Sequence, residues 1–295
     1  MCKMTKKAMS VQYVSKFQSI FQCPICTSTM SVMNQQRLVC ENNHSFDFAK
    51  QGYLNLLTNP SKSKYDKVLF EARRKLMNEG AFFEPVCQAI AEVVIQHFKS
   101  KKGPISILDI GCGEGTHLAG ICNKVGSSMK QPIVGTGMDI SKEGILVAAK
   151  HYSNKIWCVA DLANSPFREN QFDAILPILS PSNYAEFNRL LKKDGLILKV
   201  VPQSGYLREL RESFFEHTTK KSYSNIETVD RFSEFYNIVQ RSRITYEVCL
   251  DKHLIQSLLL MTPLTWSVSN EQVQSFVQRG PTKITVDLEL LVGTN

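Results

Sequence analysis

No apolar stretch of the chain approaches the length that a membrane-spanning helix needs. The first twenty residues carry Lys3, Lys6, Lys7 and Lys16 but no apolar run, so they do not read as a secretory signal, and a cytoplasmic protein is expected. Internal repeats and low-complexity tracts are also missing. Cysteine is thinly spread, and of the 9 present only three cluster, near the start. That argues for reduced thiols and a metal site over a disulfide framework. What remains is an ordinary globular composition, 43% hydrophobic and 21% charged. Its 295 residues leave room for one large α/β domain and a small appended one.

An excess of acid is lacking too, and the basic excess is uneven. Residues 1–104 hold 15 Lys/Arg and 7 Asp/Glu, a net of +8, whereas residues 105–295 hold 20 of each. A neutral body behind a basic forward module suggests a polyanionic partner, with RNA the leading candidate. A lysine-rich terminus that only aids solubility explains the charge equally well.

Residues 1–20 read as a basic, poorly ordered arm. Residues 21–58 hold turn residues, apolar pairs and four potential metal ligands, too little to fold unaided. Residues 59–103 form a basic linker region: a polar stretch from Asn59 to Lys64, then two helices divided by Gly80 and Pro85, with Ala81–Glu84 in the bend. From residue 104 to 295, short apolar runs alternate with helical patterns. Strands are expected at 105–110, 132–138, 155–160, 172–179 and 195–201, which predicts a parallel, doubly wound sheet. Arg243–Val248 and Lys283–Leu290 alternate like half-exposed edge strands.

Cys23 and Cys26 are followed by Cys40 and His44. Two thiolates on one turn and a Cys/His pair on another suit a tetrahedral ion, and this donor set favours zinc. Four protein ligands leave no open position, so the ion would be structural and would supply folding energy to the module. Chance spacing, or a redox pair at Cys23 and Cys26, are the alternatives.

Asp109-Ile110-Gly111-Cys112-Gly113-Glu114-Gly115 closes the first strand of the large domain. Glycines in such a turn let the backbone pass close beneath a nucleoside-like ligand. The spacing differs from the dinucleotide fingerprint and resembles the S-adenosylmethionine (SAM) methyltransferase motif, so Asp109, Gly111, Gly113, Glu114 and Gly115 are expected at the cofactor. Asp139 at the second strand end could accept both ribose hydroxyls, and Asp161 at the third could bond the adenine amino group. Either acid could instead cap a helix. At the fourth strand end, Ser180-Pro181-Ser182-Asn183 could face a target base, or form a capping turn with Ser182 opening the next helix.

Together with Cys40–Asp47, Lys50–Leu57, Ala72-Arg73-Arg74 and Leu260–Trp266, these motifs resemble the RlmA-type 23S rRNA guanine methyltransferases from about Phe21 to the end. The resemblance implies a class I SAM-methyltransferase (Rossmann-like) α/β fold, doubly wound, with a small N-terminal zinc-binding domain. It implies methylation of ring nitrogen one of a guanine in a domain II hairpin loop of 23S rRNA at the peptide exit tunnel. Ile178–Tyr184 looks more like the Gram-positive branch, where a neighbouring loop guanine is the target and the change is linked to macrolide response. The family's zinc ligands fall on Cys23, Cys26, Cys40 and His44, and its cofactor contacts on Gly113, Glu114, Phe83 and Tyr206. The last two depart from the commoner tyrosine and histidine. A homodimer is compatible with the resemblance.

Guanine nitrogen one carries a proton, so a base is expected near Ser180 to Asn183, with Tyr184 or Phe83 available to stack on the flipped base. Arg73, Arg74 and Lys75 are expected to hold RNA phosphates, or to form a solvated helix face. Two rival readings are a metabolite methyltransferase and a non-enzymatic zinc RNA-binding protein.

Overall fold

A computed structural model describes residues 4–59, 65–215 and 223–295. Residues 1–3 of the expected arm and 60–64 of the expected linker lie outside the described residues.

The N-terminal segment is not a loose arm. It forms helix α1 (Lys6–Lys16), capped by Thr5, whose hydroxyl accepts from the Ala8 amide at 3.2 Å. Val11 and Val14, three residues apart, are buried on one side. Lysines around them hid this short apolar stripe in the sequence. Three short antiparallel strands follow in the order β1 (Met30–Met33), β2 (Arg37–Cys40), β3 (Ser45–Asp47). After β4 (Leu54–Asn55) come α2 (Lys67–Glu79) and α3 (Glu84–Phe98), parted at Gly80 and Pro85 as the sequence indicates.

The large domain then alternates. Strand β5 (Ile105–Ile110) leads through the glycine turn to α4 (Thr116–Ser128), and β6 (Ile133–Asp139) leads to α5 (Lys142–His151). Strands β7 (Ile156–Val159) and β8 (Phe172–Leu176) precede α6 (Tyr184–Leu190) and β9 (Leu191–Pro202). Helices α7 (Arg208–Phe215) and α8 (Ile226–Ser233) lead to β10 (Asn237–Leu250), α9 (Lys252–Met261), α10 (Asn270–Gln278) and β11 (Thr282–Thr294). Eight strands form one sheet in the order β10-β11-β9-β8-β5-β6-β7-β4. It is parallel from β4 to β9, and β11 and β10 are antiparallel. The chain runs through β6 and β7 on one side of β5 and crosses to β8 on the other, so the ligand crevice is expected outside the carboxyl ends around β5.

Only one of the two late strands is an edge. β10 alternates at the rim, but β11 lies inside the sheet with Asp287 and Glu289 almost wholly buried. Arg243 donates to Asp287 at 2.7 Å and Arg241 pairs with Glu289. Cross-strand ion pairs therefore hide the polar residues that made β11 look half-exposed.

One sheet face is covered by α2, α3, α4, α9 and α10. On the other face, the crossover from β7 to β8 contains only a short 3₁₀ turn at Leu162–Asn164 in place of a helix. The N-terminal module occupies that place. β4 pairs with β7, Phe21 bridges Phe167, and the Arg168 amide donates to the Ile20 carbonyl at 2.8 Å. Val11, Val14, Ile20, Phe21 and Leu54 share one core with Ile156, Cys158, Phe167 and Phe172.

Candidate metal and cofactor sites

The Cys23–Thr27 and Cys40–His44 turns face each other. The ligand atoms of Cys23, Cys26, Cys40 and His44 all lie within 4.8 Å of one another, and among the described residues no other such group is found. Cys26 Sγ and Cys40 Sγ are 3.7 Å apart, and His44 Nδ1 lies 3.5, 3.3 and 3.4 Å from the sulfurs of Cys23, Cys26 and Cys40. A tetrahedral ion with Zn–S bonds of about 2.3 Å and a Zn–N bond of about 2.0 Å has edges of about 3.8 and 3.5 Å. The donor set and its spacing therefore fit zinc, and four protein donors fill the tetrahedron of a structural ion. Asn42 Nδ2 donates to Cys26 Sγ and the His44 amide to Cys40 Sγ, each at 3.3 Å, outer bonds that favour the thiolate. The Cys26 thiol is pulled down to about 5 by hydrogen bonds, first from Ser28 and then from Asn42.

At the carboxyl edge of the sheet lies a cavity of about 670 Å³, within the roughly 300–1,000 Å³ common for small-molecule sites. Gly111, Gly113, Asp139, Asp161, Ser180 and Tyr206 line it, as does the edge of Phe83. Gly111 has φ +72°, and a Cβ there would stand 2.7 Å from the Ser180 Cβ. Gly115 also has a positive φ, +79°, but its missing Cβ faces away from the cavity, where the Trp157 ring would lie 2.4 Å off. The turn is thus glycine-rich for two reasons, a cradle at one end and packing at the other.

The three acids separate. Asp139 lies at the cavity and accepts from the Gly113 amide at 2.8 Å and the Ser141 amide at 2.7 Å. Burial pushes its carboxyl up against the pull of those bonds. Asp161 lies at the cavity too, and accepts from Ala163 at 2.9 Å, so it also caps the 3₁₀ turn. Asp109 is 1% exposed and does not line the cavity. It faces the first turn of α4, whose N-cap is glycine, and its carboxyl is pushed up to about 8 by burial.

Glu114 does not line the cavity either; it is fully buried behind Arg73, whose Nε lies 3.0 Å from its carboxylate. The N–H is not aimed along that contact, so it pairs charges without an aligned hydrogen bond, leaving Arg73 Nε and both Glu114 oxygens without hydrogen-bond partners. Arg73 itself lines the cavity. It does not belong to an RNA-facing helix surface; Arg74 and Lys75 do face outward, paired with Glu71 and Glu79. A guanidinium lining the cavity beside the glycine turn and the Asp139 carboxylate suits a charged nucleoside ligand such as SAM.

The loop after β8 differs in detail from expectation. Asn183, not Ser182, caps α6, accepting from the Glu186 amide at 3.2 Å, so it faces the helix and not the cavity. Ser180 donates to the Ile110 carbonyl at 2.7 Å. Tyr184 is buried among Phe187, Phe232, Phe235 and Tyr236, and Phe83 stands edge-on to Phe82 and His117, so neither ring is free to stack on a base.

Sequence reasoning missed several lining residues, Tyr223 and Thr228 among them. Met261, Thr262 and Pro263 come from the C-terminal motif, which folds back over the cavity beside the Tyr65–Trp266 ring contact. Lys199 comes from the second half of β9, and its visible signal was a single lysine within the apolar run Leu196–Val201.

A doubly wound sheet with a glycine cradle at its switch point, behind a Cys₃His cluster, defines a SAM-dependent methyltransferase carrying a structural zinc ribbon. Residues 21–67 match the family model for the RlmA N-terminal zinc ribbon, and residues 107–195 match a methyltransferase domain model. Among known proteins, the chain is 45% identical over 276 residues to YxjB of Bacillus subtilis, named as a candidate 23S rRNA (guanine-N(1)-)-methyltransferase, covering 93% of this chain and 97% of that one. It is 26% identical over 246 residues to the 23S rRNA (guanine(748)-N(1))-methyltransferase of Streptomyces fradiae, covering 83% and 85%. The chain belongs to the RlmA-type 23S rRNA (guanine-N1)-methyltransferase family.

Proposed function

We propose that the protein methylates nitrogen one of a guanine in the domain II hairpin loop of 23S rRNA at the peptide exit tunnel, at the position that the name of the Streptomyces fradiae relative gives as 748. The observation that carries this is the cavity at the carboxyl edge of the sheet. The glycine turn, Asp139 and Asp161 line it together with Ser180, Pro181 and Lys199, and its volume of about 670 Å³ leaves space for a nucleoside cofactor and a flipped base together. The cofactor supplies a methyl group. Asp139 takes the ribose hydroxyls, Asp161 the adenine amino group, and Arg73 the carboxylate of the methionine end. The zinc module, at residues 21–58, and the helices of 59–103 stand before a catalytic domain at 104–295, with the basic forward half meeting RNA phosphates.

Primer extension on 23S rRNA from cells lacking the gene tests the reading. A methyl group on nitrogen one blocks reverse transcriptase, so a new stop in the hairpin loop after treatment with enzyme and SAM is expected. Absence of a stop, with zinc and cofactor bound, overturns it.

A further inference from the structure

Guanine nitrogen one has no free lone pair until its proton leaves, so the reaction needs an acceptor for that proton at the base side of the cavity. Most polar groups lining the cavity are committed elsewhere. Ser180 gives its proton to the Ile110 carbonyl, and both oxygens of Asp139 accept backbone amides. Asp161 serves its own 3₁₀ turn. The phenols of Tyr206 and Tyr223 are pushed up by burial, away from service as bases.

Lys199 differs from all of these. It is 4% exposed, on the β9 face shared with Ile197 and Val201, and it lines the cavity beside the loop that follows β8. Its Nζ donates to Ser182 Oγ and stands 5.7 Å above the Tyr184 ring. The groups facing it are therefore the Ser182 hydroxyl from the loop, Tyr184 from α6, Leu291 paired from β11, and the charge of Arg231 from α8. Among the described residues no carboxylate pairs with it. A lysine buried within the apolar run Leu196–Val201 without a counter-ion is costly as a cation, and the neutral amine is the form such a setting favours.

We propose that Lys199 is the base that removes the proton from nitrogen one of the target guanine, a role that rests on the guanine-N1 reading above. The proton passes to the neutral Nζ, the nitrogen lone pair forms the new N–CH₃ bond, and the C–S pair stays on sulfur as that bond breaks. The ammonium then releases its proton to water. Ser182 holds the amine in place. Burial and, after it, Arg231 bring the Lys199 amine down to about 8, close to the pH at which it must work.

Single-turnover methylation of a 23S hairpin transcript by the zinc-loaded full chain, with Lys199→Met and Lys199→Arg, tests this. Both variants are expected to lose about 10²–10⁴-fold in rate. The wild-type rate should climb through an inflection near pH 8 that both variants lack. Arginine keeps the charge but cannot serve as a base, so an active Lys199→Arg overturns the proposal in favour of a purely electrostatic role. Lys199→Met within threefold of wild type overturns it outright. Acylation of wild-type lysines across pH, read by mass spectrometry without cofactor, does not depend on how the variants fold. Half-reaction of Lys199 near pH 8 supports the proposal, and half-reaction near the ordinary value of about 10.4 overturns it. A wild-type enzyme that leaves every 23S guanine unmodified defeats the guanine-N1 reading as well; an active wild type beside an equally active Lys199→Met defeats this inference alone.

Discussion

Asp139 and Gly113 are joined across the floor of the cavity, the carboxylate at the end of β6 accepting the amide of the glycine turn at 2.8 Å. The same side chain thus sets the shape of the cradle and presents the oxygens proposed for the ribose. Asp139→Asn keeps the size but puts an NH₂ where one acceptor stood. Hydrogen bonds to charged groups contribute about 1.5–3 kcal/mol. Calorimetric titration with S-adenosylhomocysteine is expected to show affinity about 10- to 100-fold weaker. Unchanged affinity would remove Asp139 from the cofactor site.

Arg73 and Arg74 are sequence neighbours with opposite surroundings. Arg73→Met leaves Glu114 buried without its partner, a change of the kind that costs about 3–5 kcal/mol. Arg74→Met breaks only a partly exposed pair with Glu71, worth roughly 0–1 kcal/mol. Thermal melts should separate the two variants widely, and only the first should lose cofactor binding. Equal melts would mean that the Arg73–Glu114 contact carries no stability.

Gly115→Ala places a methyl group against Trp157 in a left-handed backbone. The backbone costs about 1–2 kcal/mol and the overpacking about 1–3 kcal/mol. A total loss of about 2–5 kcal/mol is expected in denaturant titration. Gly103→Ala, also left-handed but with nothing within 4 Å, should show the backbone cost alone.

Zinc removal should reach beyond the ribbon. Chelation, or Cys40→Ser, is expected to abolish the one metal equivalent read by atomic absorption. It should also lower the melting temperature of the whole chain, because Phe21, Leu54 and Phe167 share a core. A methyltransferase domain that melts at its original temperature after metal loss would show the two parts to be independent.

Much of this arrangement was legible beforehand, for identifiable reasons. Strand ends at Asp109, Asp139 and Asp161 were visible because short apolar runs stop at acids and glycines, and Gly80 with Pro85 marked the helix break. The four metal ligands were visible because their spacing is local. What stayed hidden depended on partners far along the chain. β11 looked half-exposed because its acids are neutralised by arginines of β10. Arg73 looked like an RNA contact because helical phase does not say which face meets a cavity. Asp109 looked like a ligand contact, although it turns down to the first turn of α4.

The two residues of β4 close the free edge of β7, and with Phe21 they seat the metal knot against the sheet that carries the methyl-transfer cavity. So seated, the pair would act as a gauge. An RNA that touches the ribbon is offered to the cavity at one set span, so a stem lengthened or shortened by a base pair would present its loop base out of reach. Discrimination among guanines would then be a matter of measured length as much as of nucleotide chemistry.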